Sequence, residues 1–452
     1  MKEKRFYSPD RDDRARRSDK PQRRPAYGQR PGQGREPQPT GDAAFDQDQG
    51  PIERTRAEAP KPPPGVPVVH LRTISFSAFI YNKMVERVEG HPQDGDIVAV
   101  ADRFGRLFGW GFFHGQAAIA LRMLSHLPTP PTDDTLRQRV QKAVTLRRDV
   151  LNLDATTDAY RLIHAEGDGL SGLIADRFGQ YVVIELFSLA MFRRVHLIED
   201  AIVDAGLNVK DFIVRADKHV MEQEGFALPK VSASKDRQAT ITENGVQFNV
   251  MLSRGHKTGF FCDQRENRRR IAQFSKGARV LDLCCYTGGF SLCAKVLGGA
   301  ADVTSVDLDE AAIAQARRNA NLNQVRLSLV HADAFAYARQ MLQNKESWDL
   351  VVLDPPKFIF TRDAHGNWEG RQKYEDLNQL SIGLVRPGGI FVTCSCSGLL
   401  SLEDFEQHVI KAAHRLNRRL QFLDRTGPGP DHPVLSNCLD GRYLKVLWAR
   451  VL

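Results

Sequence analysis

The stretch at residues 280–290 constrains the fold of this chain more than any other. An apolar strand that carries Asp282 leads into a Tyr-Thr-Gly-Gly turn, and small and apolar residues typical of a helix follow. A second apolar strand at residues 301–306 ends in Asp307, 25 residues after Asp282. This order predicts the first strand, turn and helix of a doubly wound, mostly parallel α/β sheet with a nucleotide-type cofactor at the turn.

We expect the cofactor to contact the turn and the ends of the first strands. A glycine such as Gly288 lets the backbone approach a ligand closely at positive φ, and Asp307 is placed to accept hydrogen bonds from ribose hydroxyls. A short apolar strand at residues 327–330 precedes Asp333, where an adenine amino group could be recognised. The cofactor-binding residues predicted from these motifs are Asp282, Tyr286, Thr287, Gly288, Asp307 and Asp333.

The glycine pattern indicates which cofactor to expect. The pyrophosphate fingerprint G-x-G-x-x-G is absent, and the chain has no Gly-Lys-Ser/Thr phosphate loop. A cofactor with ribose and adenine but no phosphate fits better. The turn therefore favours S-adenosylmethionine over NAD or ATP, although an ordinary strand-to-helix turn can also contain glycine.

A fully apolar strand at residues 348–353 ends in Asp-Pro-Pro-Lys-Phe at residues 354–358. Proline takes the chain out of the sheet and makes the loop rigid, and ligands of open α/β sheets bind at the carboxyl ends of the strands. We therefore place Asp354 at the cofactor and at the reacting base. Lys357 is a candidate for orienting the base or a nucleic-acid backbone. A plain strand-ending turn with a solvated lysine is the alternative.

Two cysteines, Cys394 and Cys396, follow the strand predicted at residues 389–393. A Cys-x-Cys metal pair would need further ligands, and no matching Cys or His pair stands elsewhere in the sequence. Cysteines can also pack as inert core residues, which suits Cys394 more than Cys396. The third possibility is that Cys396 is a thiolate nucleophile beside the cofactor.

One methylation reaction needs such a thiolate. Carbon 5 of a pyrimidine is not nucleophilic, but addition of a cysteine to carbon 6 converts carbon 5 into an enamine-like nucleophile. Asp354 could hydrogen-bond the ring nitrogen or the exocyclic amine as the adduct forms. The base that removes the proton from carbon 5 cannot be named from the sequence.

Composition favours a cytoplasmic protein that binds RNA. The chain of 452 residues has no apolar run of membrane-spanning length and no signal-peptide core, and its seven cysteines lack a disulfide spacing. Residues 1–35 hold 12 Lys and Arg against 5 Asp and Glu, so the net charge of +8 belongs mostly to this end. We expect residues 1–65 to be a disordered basic tail, which either binds RNA non-specifically or is passive.

The remaining chain divides by pattern into three units. Residues 66–130 alternate as short strands and predict a small β-rich domain. Residues 131–239 begin with a helix at 133–151 and then read strand, strand, helix, which predicts a central α+β domain. Residues 240–452 contain the strand-helix alternation described above and predict the doubly wound domain.

A polar, glycine-containing loop at residues 255–268 leads into this last unit. Its side chains Phe260, Asp263, Gln264 and Arg265 could line the cofactor and the target-base pocket. The structural alternative is that the loop packs the helix onto the sheet, with Arg265 in a salt bridge.

Taken together, the motifs at residues 257–265, 286–290, 354–358 and 395–398 resemble one family. It comprises the class I S-adenosylmethionine-dependent methyltransferases that form 5-methylcytosine in large-subunit ribosomal RNA and carry an N-terminal PUA domain. The resemblance runs from about residue 66 to residue 452 and includes the segments 172–178, 431–434 and 443–445. Several long motifs in the same order make chance agreement an inadequate explanation.

The resemblance implies a PUA-like domain, a central α+β domain and a Rossmann-like methyltransferase domain. It also implies that Cys396 is the nucleophile and Cys394 a spectator, that ribosomal RNA is the substrate, and that a homodimer can form. Three rival functions stay open: a ribosomal RNA guanine-N7 methyltransferase, an amino-group methyltransferase, and a non-catalytic ribosome assembly factor that keeps the fold. The Ser-Cys-Ser segment argues against the first, and Lys357 in place of an aromatic residue argues against the second.

Overall fold

The computed structural model describes residues 59–229, 237–252, 258–361 and 363–452. The basic tail predicted for residues 1–65 therefore lies almost entirely outside the described residues. Of that range, the structure describes residues 59–65. The Pro60 carbonyl accepts a hydrogen bond from the backbone N–H of Leu107 at 2.7 Å, so this segment contacts a strand of the sheet described next.

The first sheet has six strands in the order β2-β6-β5-β4-β1-β3. Alternating apolar residues place one face of each central strand in a core around the buried Phe108. Trp110 lies in a second, smaller apolar cluster to which three strands contribute. The pairs β4–β5 and β5–β6 are antiparallel, as the tight turns between them require. The strands are β1 (Val68–Leu71), β2 (Phe79–Tyr81), β3 (Val85–Glu89), β4 (Ile97–Ala101), β5 (Leu107–Phe113) and β6 (Ile119–Ser125).

The second unit is a four-stranded sheet in the order β10-β9-β8-β7 with helices on one face. Helix α1 (Asp133–Thr145) starts with a capping box at Thr132, and Leu136, Val140 and Val144 face the core. The helix predicted to reach residue 151 stops earlier as an α-helix, because its last five residues form a π-turn (Leu146–Val150). The other elements are β7 (Ala159–His164), β8 (Leu173–Phe178), β9 (Tyr181–Leu186), α2 (Leu189–Phe192), α3 (Val195–Asp204), β10 (Asp211–Arg215) and α4 (Lys218–Glu224).

An antiparallel hairpin joins this unit to the last one. Its strands, β11 (Gln238–Glu243) and β12 (Val246–Met251), bury Phe248 in a core that also contains Phe178 of β8 and Trp448 of the last strand. The second and third units thus share one continuous apolar core. The boundaries proposed at residues 130 and 239 stay a prediction.

The third sheet has seven strands in the order β15-β14-β13-β16-β17-β19-β18. The strands from β15 to β17 are parallel, whereas β19 is antiparallel to both β17 and β18. Strand order reverses at β13, which lies between β14 and β16, so the crevice for a ligand is expected above the carboxyl ends of these strands. The strands are β13 (Arg279–Leu283), β14 (Asp302–Asp307), β15 (Ser328–His331), β16 (Trp348–Leu353), β17 (Val385–Ser395), β18 (Leu420–Thr426) and β19 (Lys445–Val451).

Helices cover both faces of this sheet. The carboxylates of Asp309 and Asp333 each cap the helix that begins at the next residue. The helices are α5 (Arg265–Ile271), α6 (Gly289–Leu292), α7 (Glu310–Leu322), α8 (Ala334–Gln343), α9 (Ala364–Gly383) and α10 (Leu402–His414). No helix in the described residues combines the length and the apolar character that a membrane crossing needs. The predicted doubly wound, mostly parallel fold is confirmed.

Candidate functional site

The turn after β13 contains three residues with positive φ. Cys284 has φ 61° and Tyr286 has φ 49°, and both are non-glycine residues in the left-handed region. The N–H of Tyr286 donates to Asp307 Oδ2 at 2.7 Å, which ties the turn to the end of β14. Gly288 follows with φ 83° and starts α6, as the sequence predicts for a close approach of backbone to a ligand.

Asp282 supports this turn from below. Its carboxylate is fully buried and accepts hydrogen bonds from the N–H of Ser291 at 3.0 Å and from its hydroxyl at 2.6 Å. Burial raises the pKa of Asp282 to about 7, although the bonds from Ser291 oppose that shift. Asp282 thus fixes the start of the helix through its Oδ2, and the cofactor contact predicted for it stays a prediction.

Acceptor groups line the strand ends next to the turn. Asp307 ends β14 and Asp333 follows β15, which pairs with β14 in parallel register. The Thr287 carbonyl accepts a hydrogen bond from Asn319 Nδ2 at 3.1 Å, and this contact anchors the turn on α7. Ribose hydroxyls and an adenine amino group are donors, and a sulfonium is a cation. Carboxylates at these positions therefore fit S-adenosylmethionine.

Asp354 lies at the end of β16, between the turn and the cysteine segment. Its Oδ2 accepts a hydrogen bond from Gln264 Nε2 at 2.9 Å, and the Cys394 thiol also hydrogen-bonds the carboxylate. Burial raises the pKa of Asp354 to about 7, and the nearby Asp263 adds to the rise. Cys394 is buried and interacts with Asp354, and the spectator role that the resemblance implies for it stays a prediction.

Cys396 follows the last residue of β17 and is half-buried. Two polar residues from other elements interact with it: Tyr374 on α9 and Lys445 at the start of β19. Cys394 lies two residues before it and acts on it electrostatically as well. The structure therefore brings Cys396, Cys394 and Asp354 to the carboxyl ends of neighbouring parallel strands, β16 and β17.

Lys357 lies in the loop after β16, three residues beyond Asp354. Its Nζ is 5.6 Å from the ring centre of Phe360, whose side chain is 71% exposed. This position suits either a contact with a nucleic-acid strand or a solvated loop. The role predicted for Lys357 stays a prediction.

Phe260 and Asp263, both predicted at the cofactor, have internal partners. Phe260 is buried 5.1 Å from the ring of Phe248, and the guanidinium of Arg268 lies 4.5 Å above its ring. The carboxylate of Asp263 accepts a hydrogen bond from the Tyr443 hydroxyl at 2.6 Å. Phe260 packs the loop onto the hairpin, while Asp263 links the loop to the segment before β19.

Arg265 has the structural role that the sequence left as the alternative. Its guanidinium is 1% exposed and forms two hydrogen bonds with Asp431, at 2.8 and 2.9 Å. Burial opposes ionisation of Asp431, but His432 and Arg265 outweigh it and hold the pKa of this carboxyl far below its usual value. Because the ion pair occupies the guanidinium fork, the structure argues against the cofactor contact predicted for Arg265.

The sequence analysis did not identify three residues near the site: Tyr374, Tyr443 and Lys445. The sequence gives Tyr443 and Lys445 only as part of segment 443–445 of the family resemblance, and it assigns neither of them a role at the site. The contact of Tyr443 with Asp263 spans 180 positions of the chain, so no local pattern could show it. Among the described residues, no cluster of three or more His, Cys, Asp or Glu side chains could hold a metal ion.

Comparison with known proteins is consistent with this geometry. A model of S-adenosylmethionine-dependent methyltransferases matches residues 221–446, and a model of PUA-like domains matches residues 73–126. Ribosomal RNA large subunit methyltransferase I of Erwinia tasmaniensis is 34% identical over 390 residues, which cover 83% of this chain and 95% of that protein. The protein of the same name from Shewanella frigidimarina is 36% identical and covers 82% and 95%.

Solved structures share the fold. A protein of Streptococcus mutans assigned to the S-adenosylmethionine-dependent methyltransferases superposes with a TM-score of 0.70 at 21% identity, over 84% of this chain and all of that one. A second methyltransferase structure, solved with S-adenosylhomocysteine, gives a TM-score of 0.71 at 20% identity. The chain belongs to the S-adenosylmethionine-dependent methyltransferase family that includes ribosomal RNA large subunit methyltransferase I, and its cofactor is S-adenosylmethionine.

Proposed function

We propose that this protein forms 5-methylcytosine in large-subunit ribosomal RNA, with Cys396 as the covalent nucleophile. The observation that carries the proposal is the position of a half-buried thiol, Cys396, at the end of β17 beside Asp354 at the end of β16. Both lie at the strand ends where an open α/β sheet binds its ligands.

The reaction needs a nucleophile because carbon 5 of cytosine cannot attack a methyl group unaided. The Cys396 thiolate forms an Sγ–C6 bond, and the electron pair of the C5–C6 double bond becomes available at carbon 5. S-adenosylmethionine, when bound, would supply the electrophilic methyl group to carbon 5, with cleavage of the sulfonium S–CH3 bond and S-adenosylhomocysteine as the leaving group. A base then removes the proton from carbon 5, the double bond forms again, and the thiolate leaves from carbon 6.

Asp354 suits the stabilisation of this adduct. With its pKa raised to about 7, the carboxyl is partly protonated at neutral pH and can donate a hydrogen bond to the ring nitrogen of cytosine. Gln264 holds the other side of the same group at 2.9 Å and fixes its direction. A fixed donor in a buried site stabilises charge as it develops on the ring.

The RNA substrate is inferred from the relatives and from the first sheet. The relatives are named for methylation of large-subunit ribosomal RNA, and PUA-like domains are RNA-binding modules. Carbon 5 of the target must meet both the thiol and the methyl group, so the base must be unpaired or flipped out of a duplex. A homodimer stays a prediction that light scattering would test.

The experiment is methyl transfer from labelled S-adenosylmethionine to unmodified ribosomal RNA, with the product nucleoside identified by mass spectrometry. We expect 5-methylcytidine with the wild type and with Cys293→Ala, a buried cysteine used as the matched control. We expect none with Cys396→Ala. A 7-methylguanosine product, or full activity in Cys396→Ala, would show that the nucleophile is wrongly assigned.

The non-catalytic alternative makes a different prediction in the same experiment. An assembly factor that keeps the fold would bind S-adenosylmethionine and transfer no methyl group to naked RNA or to assembly intermediates. Binding without transfer on either substrate would therefore replace the proposed reaction with that function.

A further inference from the structure

Lys445 is a buried lysine with an unusual set of partners. Its side chain is 5% exposed, and its Nζ donates hydrogen bonds to the Tyr443 carbonyl at 2.8 Å and to the carbonyl of Ser397. In the described part of the chain, no carboxylate lies within ion-pair distance of this ammonium, and the charge interaction that acts on it comes from Cys396. A buried ammonium without a carboxylate partner is costly, so its position calls for a reason.

We propose that Lys445 is a positioning residue that holds Cys396 as a thiolate. The proposal deepens the proposed function, since it assigns a partner to the nucleophile of the same site. Lys445 would act on the reaction through Cys396 and would not need to touch the RNA.

The geometry fixes the charge in place. Lys445 begins β19 and stands opposite Ser395 in the antiparallel register, so its backbone lies beside the end of β17. The carbonyl of Ser397, the residue directly after Cys396, takes one of its three N–H groups, and the Tyr443 carbonyl takes another. Two backbone carbonyls thus hold the ammonium beside the residue that follows Cys396. In a poorly hydrated site, a fixed positive charge favours the thiolate strongly.

The ammonium keeps its charge at neutral pH. Burial lowers the pKa of Lys445 to about 8, and a thiolate at Cys396 opposes that decrease. Lys445 is therefore mostly protonated near pH 7, where a thiolate at Cys396 would form the ion pair. Each member of such a pair stabilises the charged form of the other.

Three other groups, none of them a cation, interact with Cys396 or with its neighbour Cys394. Tyr374 faces it from α9, and burial raises the pKa of that phenol well above its usual value. Cys394 faces it from β17, and burial raises the pKa of that thiol as well. Asp354 interacts with Cys394, and its own pKa of about 7 leaves much of the carboxyl protonated. Of these groups and Lys445, only Lys445 carries a positive charge.

The test measures how fast Cys396 reacts with iodoacetamide as a function of pH, using the full chain and quantifying the modified peptide by mass spectrometry. Alkylation requires the thiolate, so the midpoint of the profile reports the pKa of Cys396. We expect a midpoint below the ordinary thiol value of about 8.5 in the wild type. Lys445→Met and Lys445→Gln should raise it, with alkylation at pH 7 about ten-fold slower, which corresponds to about one pKa unit.

Lys295→Met is the matched control. Lys295 also donates to two backbone carbonyls, those of Ala300 and Ala301 at 2.9 and 2.8 Å, but it lies on the turn after α6. Its loss should leave the alkylation profile of Cys396 unchanged. A purely structural role for Lys445 would lower the melting temperature of its variants without moving the midpoint.

Two results would overturn the proposal: a wild-type midpoint at or above about 8.5, or a folded Lys445 variant whose midpoint equals that of the wild type. If both variants fail to fold, the wild-type midpoint alone decides. The measurement needs neither RNA nor S-adenosylmethionine. Its failure is therefore distinguishable from failure of the proposed methyl transfer, which the product analysis tests.

Discussion

Two polar clusters of this molecule are built in opposite ways. The framework cluster comprises three arginines and three aspartates: Arg147, Arg161, Arg265, Asp168, Asp176 and Asp431. The thiol cluster comprises Asp354, Cys394, Cys396 and Lys445. Every charge of the framework cluster faces an opposite charge at hydrogen-bond distance, whereas the thiol cluster has one ammonium, one carboxyl and two thiols.

The framework cluster joins segments that are distant in the chain. Arg147 forms an ion pair with Asp168 at 2.7 Å and also donates to the Asp431 carbonyl, across 284 positions. Arg161 pairs with Asp176, whose other oxygen accepts a hydrogen bond from Thr258 at 2.6 Å. Full pairing compensates the burial of these charges and fixes the loop that carries Gln264.

The thiol cluster leaves its groups poised between charge states. The pKa of Asp354 rises to about 7 and that of Lys445 falls to about 8, so both approach the pH at which an enzyme works. Shifts of this kind are typical of groups that move protons or stabilise charge during a reaction. The comparison indicates that buried charges in ion pairs stabilise the fold. Ionisable groups whose pKa values are shifted towards neutral pH indicate the candidate site.

The largest effect on stability should come from breaking one framework pair. Arg265→Met leaves Asp431 charged and buried, which costs about 3–5 kcal/mol of unfolding free energy, measured by urea denaturation. The double variant Arg265→Met with Asp431→Leu should recover most of that loss. The exposed pair between Arg425 and Glu406, with contacts of 2.6 Å, is the matched control. Arg425→Met should cost less than about 1 kcal/mol, and equal losses at both positions would contradict the comparison.

Removing the titration of Asp354 should change the reaction and its pH profile. The protonated carboxyl is the donor in our account, so wild-type kcat/KM should fall as pH rises through about 7. An amide at this position can still donate but does not titrate. Because an amide N–H is a weaker donor than a carboxylic acid, Asp354→Asn should lose about 10- to 100-fold in kcat/KM. Because the amide does not titrate, the variant should lack that falling limb. A variant that keeps the wild-type limb would assign it to another group.

The smallest effect concerns Asp282, which is fully buried beneath the turn. Its pKa rises from an ordinary value near 4 to about 7 in the folded protein. Its ionisation therefore disfavours folding, and wild-type stability is lost as pH increases through 7. Asp282→Asn lacks this loss, so its stability relative to wild type should increase by about 1 kcal/mol between pH 6 and pH 8. Thermal unfolding at both values measures the change, and a constant difference would refute the assignment.

Much of this architecture could be predicted from local sequence patterns. Two strand ends were predicted to within one residue from apolar runs that end in Asp307 and Asp354. A strand that is buried in a parallel sheet needs such an apolar run, and the acidic residue after it indicates the start of a loop. The strand predicted at residues 389–393 is longer in the structure, Val385–Ser395. Its pairing with β16 shifts register near its start, and Gly388 with φ 80° allows the strand to continue through that irregularity.

The partners of the site residues could not be predicted in the same way. Arg265 and Asp431 are 166 positions apart, and only the folded chain shows that they meet. Lys445 reaches the cysteine segment because β19 pairs antiparallel with β17, a pairing that periodicity does not reveal. Sequence motifs thus predicted the residue types at the strand ends. Tertiary structure decided which of them stay charged, buried or paired.

The most direct test of the central claim is to trap the covalent adduct on ribosomal RNA that contains 5-fluorocytidine. Fluorine cannot be removed from carbon 5 as a proton is, so the ring should stay bonded to the nucleophile after methyl transfer. Our account predicts a complex that survives denaturation, with the methylated nucleotide on the peptide that carries Cys396 and no complex in Cys396→Ala. An adduct on another cysteine, or no adduct while ordinary RNA is methylated, would contradict it.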